Sequence, residues 1–531
     1  MATADARSVL VRVREFSTPT QVWSRRLWNV GAILSLRELH DACRWVVEGA
    51  LSQSAVDWQR ARLQRLGNDP GLGDAAVRRE LVAVLGRPVH APSDAWRRLD
   101  ELTSMAEVGY LARHAGAVAA GSGFGVERLS RALASHLLDG GHSMSAVRRW
   151  AERHRVEGTP LAHVLEDAHA LAVAPSQQYE VLVPFARLPD RQGQAVHLQE
   201  FRSRHQALLW LDGHKFPRPA GPVDSAFLYS ITAKDGMAVA ELARELLERL
   251  LARSAFADDT VRVQPAPLMY VGGQNTPQST ARASRGARIM SLGRERQSYA
   301  LPTSRERLDA ALELAAPLNR GAVSAAISGS WAAIETLLFS SADQIDGDER
   351  GRVVAARRLA ELVACSWPRA ELTTLSYRLD PASDPQLVSD LAGTPVNRER
   401  AARLETALRA GVAVEAAPGK DYLGDVEALA RMRRLVAAPA TTLRDALLLL
   451  EQPLRQLYRS RNILLHAGGT DALAHDAALR VSAPLIGAGL DRIAHAYFVK
   501  QVEPLVLSSR AAVGLAVVED PAGRALTDLL E

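Results

Sequence analysis

The chain is poor in several things. It holds two cysteines in 531 residues, Cys43 and Cys365, far apart and in no CxxC spacing. That excludes a disulfide framework and a cysteine-built zinc site. Only 5% of the residues are aromatic. Lysine is nearly missing: Lys215, Lys234, Lys420 and Lys500 are the only four among 64 basic side chains. No long hydrophobic run occurs, since the longest apolar stretch, 321–338, is interrupted by Glu335 and rich in Ser and Gly. A membrane span is therefore not expected. The opening residues carry Asp5, Arg7, Arg12, Arg14 and Glu15, which is no secretory pattern. The expected location is the cytoplasm.

What is there is ordinary globular chemistry. The chain is 47% apolar and 23% charged, with 36 Gly and 26 Pro, which excludes a disordered or collagen-like chain. The length suggests roughly three domains. The net charge is only +4, and 60 of the 64 basic residues are Arg. With Ala also abundant, this resembles GC-rich coding, so nucleic-acid binding would need local clustering of charge.

Hydrophobic periodicity predicts a mainly α fold in four parts. Residues 1–175 read as a helical region. Ser35 with Glu38 reads as a capping box opening a helix to about Leu51, and further helices are expected near 54–66, 75–85, 94–113, 126–138, 144–154 and 160–171. Residues 176–272 read as a small α+β module of short β-branched and aromatic segments around one helix that Asp235 caps. Residues 273–302 read as a basic linker with Arg282, Arg285, Arg288, Arg294 and Arg296 against Glu295. Residues 303–531 are helical again. Val323, Ile327, Trp331, Ile334 and Leu338 form one stripe, and further helices are expected near 349–365, 368–379, 397–410, 421–437 and 483–502. Thr442 with Asp445 is expected to cap a run that Pro453 kinks or restarts and that Gly468 and Gly469 stop.

Two basic features invite a nucleic-acid reading. The segment 126–155 resembles a helix-turn-helix whose second helix carries Arg148, Arg149, Arg153 and Arg155. An antiparallel helix pair with a solvated basic edge is the commoner arrangement. Arg282, Arg285 and Arg288 are candidate RNA contacts on the linker, although a solvated, charge-rich connection is the commoner arrangement.

The segment 'RSRNILLHAG', residues 459–468, carries the strongest chemical signal. Arg-x4-His alone is cheap, with roughly one or two chance matches expected. Arg131/His136 and Arg149/His154 also fit it. Only Arg461/His466 has Asn next to the Arg, a longer pattern with a chance expectation of about 0.02. Asn462 and His466 are four apart and share a helix face, and a helix C-terminus favours a protonated His. Arg459 next to this segment is a further candidate RNA contact.

'RNILLH' resembles the Arg-x4–6-His motif of the HEPN superfamily, helical domains that often act as metal-independent ribonucleases. The approach 'LRQLYRSRNILLHAGG' is similar to the subgroup that includes the phage-defence protein ApeA, and 'SGSWAAIETLL' is similar to that subgroup's first helix, where an acid near a Trp faces the motif. Glu335 is the matching position. The resemblance covers about 303–510. It implies a C-terminal HEPN-like bundle acting as an endoribonuclease, with Arg461, Asn462 and His466 catalytic and Glu335 supporting Arg461. It further implies a homodimer with a composite site, no cofactor and no metal. Such an enzyme suits an anti-phage abortive-infection effector or toxin answering a phage-derived trigger, with residues 1–175 sensing or regulating it. The alternatives are a catalytically silent HEPN module for dimerisation or RNA binding, and a DNA-binding regulator using 126–155.

The remaining patterns carry little. No HExxH, Walker or Gly-x-Ser-x-Gly sequence occurs, and the histidines of 136–214 lack partners at metal-ligand spacing.

Overall fold

A computed structural model describes residues 5–154, 158–188, 193, 195–257, 262–301, 303–304, 306–342, 352–419, 422–470, 472–519 and 524–531. The chain is mainly α. The first nine helices are α1 (Ala6–Phe16), α2 (Ala32–Val47), α3 (Gln53–Leu63), α4 (Ala75–Leu85), α5 (Asp94–Glu107), α6 (Tyr110–Ala119), α7 (Val126–Asp139), α8 (Met144–Arg153) and α9 (Leu161–Val173). The predicted element 94–113 is two helices, because Gly109 adopts φ +84 between them. The amphipathic helix α1 carries no predicted counterpart. Arg155 of the basic helix lies outside the described residues, as does the start of the element expected at 349–365.

Strands β1 (Gln177–Arg187), β2 (Phe201–Ser203), β3 (Ser225–Ala233), β4 (Gln264–Pro265), β5 (Leu268–Val271) and β6 (Gln278–Ser279) pair antiparallel in the order β2-β3-β1-β5-β6, with β4 also on β1. Side-chain alternation along β1 splits the core. Val181, Val183 and Phe185 pack against α11 (Gly236–Ala257), while Leu182 faces Leu211 of α10 (Arg204–Gly213). Asp235 caps α11 as expected, accepting from the Met237 and Ala238 amides at 3.0 Å. It also accepts from the amide and hydroxyl of Ser143 at 2.9 and 2.8 Å, fastening the module to the first region.

After α12 (Met290–Arg294), α13 (Arg307–Ala315) and α14 (Val323–Leu338) come α15 (Val354–Ser376), α16 (Pro385–Ala392), α17 (Asn397–Arg409), α18 (Tyr422–Ala437), α19 (Pro439–Ala467), α20 (His475–Lys500) and α21 (Pro504–Ala516). Trp331, Ile334 and Leu338 are buried with Leu359, Leu450, Leu454 and Leu457 in one core. The helix continues through both prolines. Pro453 lies inside the 29-residue α19, and Pro368 inside α15, which replaces the two helices expected at 349–365 and 368–379. Leu450 before Pro453 and Leu454 and Leu457 after it enter the same core, and that packing outweighs one missing N–H.

The helical regions are joined rather than separate. The second core runs from α1 through α9 and takes in Ile463, Ala477 and Val481, while the C-terminal core takes in Trp28 and Ala287. A buried ionic network crosses the same junction. Arg25 donates from Nε to Glu371 and from Nη1 to Asp425, each at 2.6 Å, and Glu127 of α7 accepts from both Arg12 (2.7 Å) and Arg431 (2.8 Å).

Residues 273–302 are not a free linker. Ala287 and Ser291 are buried, and a Cβ on Gly487 of α20 would lie 2.5 Å from the Arg288 amide nitrogen, so the segment lies directly on that helix. No helix among the described residues is long and apolar enough to cross a membrane.

Candidate functional site at the end of helix α19

The motif occupies the last two turns of α19. Ile463 anchors this end in the first region's core, and Gly468 ends the helix in the left-handed conformation (φ 63) that a Cβ would strain. The two glycines therefore act as expected. Arg461 and Asn462 are half-buried, and His466 is exposed in the final turn. Nη1 of Arg461 donates to Oδ1 of Asn462 at 2.9 Å. The arrangement presents a guanidinium, an amide and an imidazole near unsatisfied helix-terminal carbonyls, where positive charge is favoured. Leu465 is 54% exposed beside His466.

Glu335 departs from its expected role. Its Oε2 accepts from the Trp331 indole at 3.1 Å and its Oε1 pairs with Arg352 at 2.7 Å. Among the described residues it makes no bond to Arg461. The helix carrying it is in the expected place, because Trp331 packs on Tyr458 with ring centroids 4.7 Å apart. The acid lies one turn beyond that contact and pairs with Arg352.

The auxiliary RNA contacts are mostly occupied. Arg459 is 4% exposed and donates from Nε and Nη2 to Oε1 of Glu38, at 3.0 and 2.8 Å. Arg282 is bidentate to Glu248 at 2.9 and 3.0 Å. Arg285 donates to the Leu318 carbonyl at 3.0 Å, and burial, with Arg282 adding, pulls its guanidinium down to about 10. Arg288 alone of the four is exposed. Charge clustering in sequence thus marks packing contacts here, because half-buried Arg in this fold finds carbonyls and carboxylates.

In the basic helix pair, Arg149 and Arg153 are exposed on α8, whereas Arg148 is half-buried and Trp150 is held by Asp167 at 2.7 Å. Among the described residues, no group of three or more His, Cys, Asp or Glu is placed to hold a metal ion.

Three residues near the motif have roles that the sequence reading missed: Glu38, Trp45 and His475. Glu38 does not form the expected capping box. Helix α2 starts earlier, Ser35 bonds back to the Gly31 carbonyl, and the Glu38 carboxylate receives Arg459, Gln456 (3.0 Å) and Gln59 (3.2 Å). Thr442 is likewise interior to α19 and caps nothing. Trp45 packs over Gly469, where a Cβ would come within 2.9 Å of its ring. His475 is buried with Nε2 2.9 Å from the Gly469 carbonyl, which assigns the proton to Nε2 and leaves Nδ1 without a partner. Trp45 and His475 hold the loop that follows His466. Comparison with protein-family models, with curated proteins and with solved structures finds no match to this chain.

Proposed function

We propose that the protein is a metal-independent endoribonuclease of HEPN type. It cleaves RNA through the ribose 2′-hydroxyl, leaving 2′,3′-cyclic phosphate and 5′-hydroxyl ends. The reading rests on one observation: Arg461, Asn462 and His466 lie together in the last two turns of α19, with His466 open to solvent and Arg461 bonded to Asn462. In the reaction a base takes the 2′-hydroxyl proton, the 2′-oxygen attacks phosphorus, and the departing 5′-oxygen takes a proton. His466 serves in proton transfer, since imidazole titrates near neutrality. Arg461 neutralises the phosphorane oxygens, and Asn462 orients that guanidinium. One imidazole per chain cannot be base and acid at once, so the site is composite across a homodimer, each copy giving one His466.

The biological role that follows is an anti-phage abortive-infection effector or toxin. Residues 1–175 restrain it until a phage-derived trigger acts. Support comes from the contact of Glu38 with Arg459, two residues before Arg461, which couples the first region to the motif helix. The test is end-group analysis of RNA from cells expressing the chain. Cyclic-phosphate ends and growth arrest that vanish in His466→Ala support the reading, and growth arrest independent of His466 refutes it.

One observation favours a second reading, a silent HEPN module that binds RNA or dimerises. Glu335 is committed to Arg352, and among the described residues Arg461 meets no carboxylate. RNA binding unchanged in His466→Ala, with no cleavage by wild type, distinguishes it.

A further inference from the structure

A second concentration of charge lies at the other end of α20. Arg492 is 17 positions beyond His475, so about 25 Å along the helix from the motif loop. Its Nε is buried without a hydrogen-bond partner. Arg369 of α15 lies beside it, and both gather with Arg398 of α17 and Arg510 of α21 around Lys500 at the end of α20. The carboxylate of Glu531 sits among them. It meets Nη1 of Arg369 at 3.3 Å, Nη1 of Arg398 at 3.8 Å and Nζ of Lys500.

The local charges do not balance. Asp528 takes the Nε of Arg398 at 2.9 Å and Asp491 faces Arg492, which leaves five cations on three acids. The carboxylate of Glu295 is paired with Arg294 at 2.9 Å. The crowding shows in the protonation equilibria. Burial, then the charge of Arg369, lowers Arg492 to about 9. Burial, then Arg398, Arg369, Arg510 and Arg492, lowers Lys500. Cations forced together in a half-buried site are stabilised by a multivalent anion more than by one carboxylate.

We propose that this cluster is a binding site for the phosphate chain of a small phosphorylated molecule, of the class of nucleoside triphosphates or inorganic polyphosphate, and that the Glu531 carboxylate is the resident group the ligand displaces. The geometry suits a compact polyanion. An RNA strand instead spreads its charge along an extended exposed track, whereas here Arg369 is 15% exposed and Arg369, Arg398 and Lys500 converge on one carboxylate. The inference stands apart from the ribonuclease reading and does not require it.

The experiment is isothermal titration of the full chain with sodium tripolyphosphate, ATP and adenosine. Tripolyphosphate and ATP are expected to bind and adenosine to give no heat. Removing the resident carboxylate in Glu531→Ala tightens binding about tenfold, and Arg492→Ala weakens it about tenfold or more. Because Arg492 is largely buried, Lys500→Ala at a partly exposed position serves as a second variant, and each variant is matched to wild type by thermal melt. ATP binding tighter than tripolyphosphate assigns a nucleotide, and equal affinities assign the bare phosphate chain. Three results overturn the proposal: no heat with tripolyphosphate for either wild type or Glu531→Ala, affinity unchanged by both cation substitutions, or a single-stranded RNA oligomer outcompeting tripolyphosphate.

Discussion

The carboxylate of Glu38 and the guanidinium of Arg459 lie 2.8 Å apart although 421 positions separate them in the chain. The pair fixes the first helical region to α19 immediately before Arg461. Both groups are buried or nearly so, so deleting one leaves the other charged and unpaired. Glu38→Ala is therefore expected to destabilise the chain by about 3–5 kcal/mol. Urea denaturation measures this, and a loss below about 1 kcal/mol would show that the pair does not hold the two regions together.

The ionic network between the regions leads to a companion expectation. Arg25 is 1% exposed and bonds Glu371 and Asp425, themselves 0% and 5% exposed. Arg25→Ala leaves Asp425 with Arg378 at 3.3 Å and Glu371 with Arg431 at 3.8 Å, whereas Arg25→Lys keeps the charge but loses the two-partner fork. The expected order of melting temperatures is wild type, then Arg25→Lys, then Arg25→Ala. Equal melting of all three would remove the network from the account of stability.

Gly487 predicts how residues 282–291 are held. A Cβ there meets the backbone of Ala287 and Arg288 within 3.0 Å. Ala is the better helix former by roughly 1 kcal/mol, yet Gly487→Ala should push the segment off α20. Limited trypsin digestion reads the result, with cleavage after Arg285 or Arg288 faster in the variant. Unchanged digestion and a raised melting temperature would mean that the segment is not held there.

A pH effect follows from His136, which stacks near Tyr110 with ring centroids 4.8 Å apart. Burial lowers it to about 4, against the opposing pull of Glu107. The unfolded chain binds the proton more tightly, so this stability is full above about pH 6.5 and is lost as pH falls toward 4. The loss amounts to about 3 kcal/mol. His136→Gln should flatten the stability profile between pH 7 and 4.5, measured by denaturant titration. An unchanged slope in the variant would assign the acid sensitivity elsewhere.

The mainly α class, the small antiparallel module and the position of the motif at a helix end were legible from periodicity and from Gly468, because these depend on local pattern. Asp235 was legible as a cap for the same reason. Ser35, Glu38 and Thr442 were misleading, since their roles are set by packing: a capping box needs a free helix start, and Leu443 already buries that run of α19 in the core. The pairing of Glu38 with Arg459 and of Glu335 with Arg352 left no trace, because neither charge carries information about a partner so far along the chain. The arginines of 282–288 were read as solvated for want of any signal that α20 would lie beneath them.

The most direct test of the ribonuclease reading is RNA cleavage by the purified chain in excess EDTA, comparing wild type with His466→Ala. His466 is exposed, so its loss should leave stability within about 0.5 kcal/mol. Wild type is expected to cut RNA to 2′,3′-cyclic phosphate ends, and the variant to be slower by about 100-fold or more. Equal cleavage by both proteins, or cleavage abolished by EDTA alone, would contradict it.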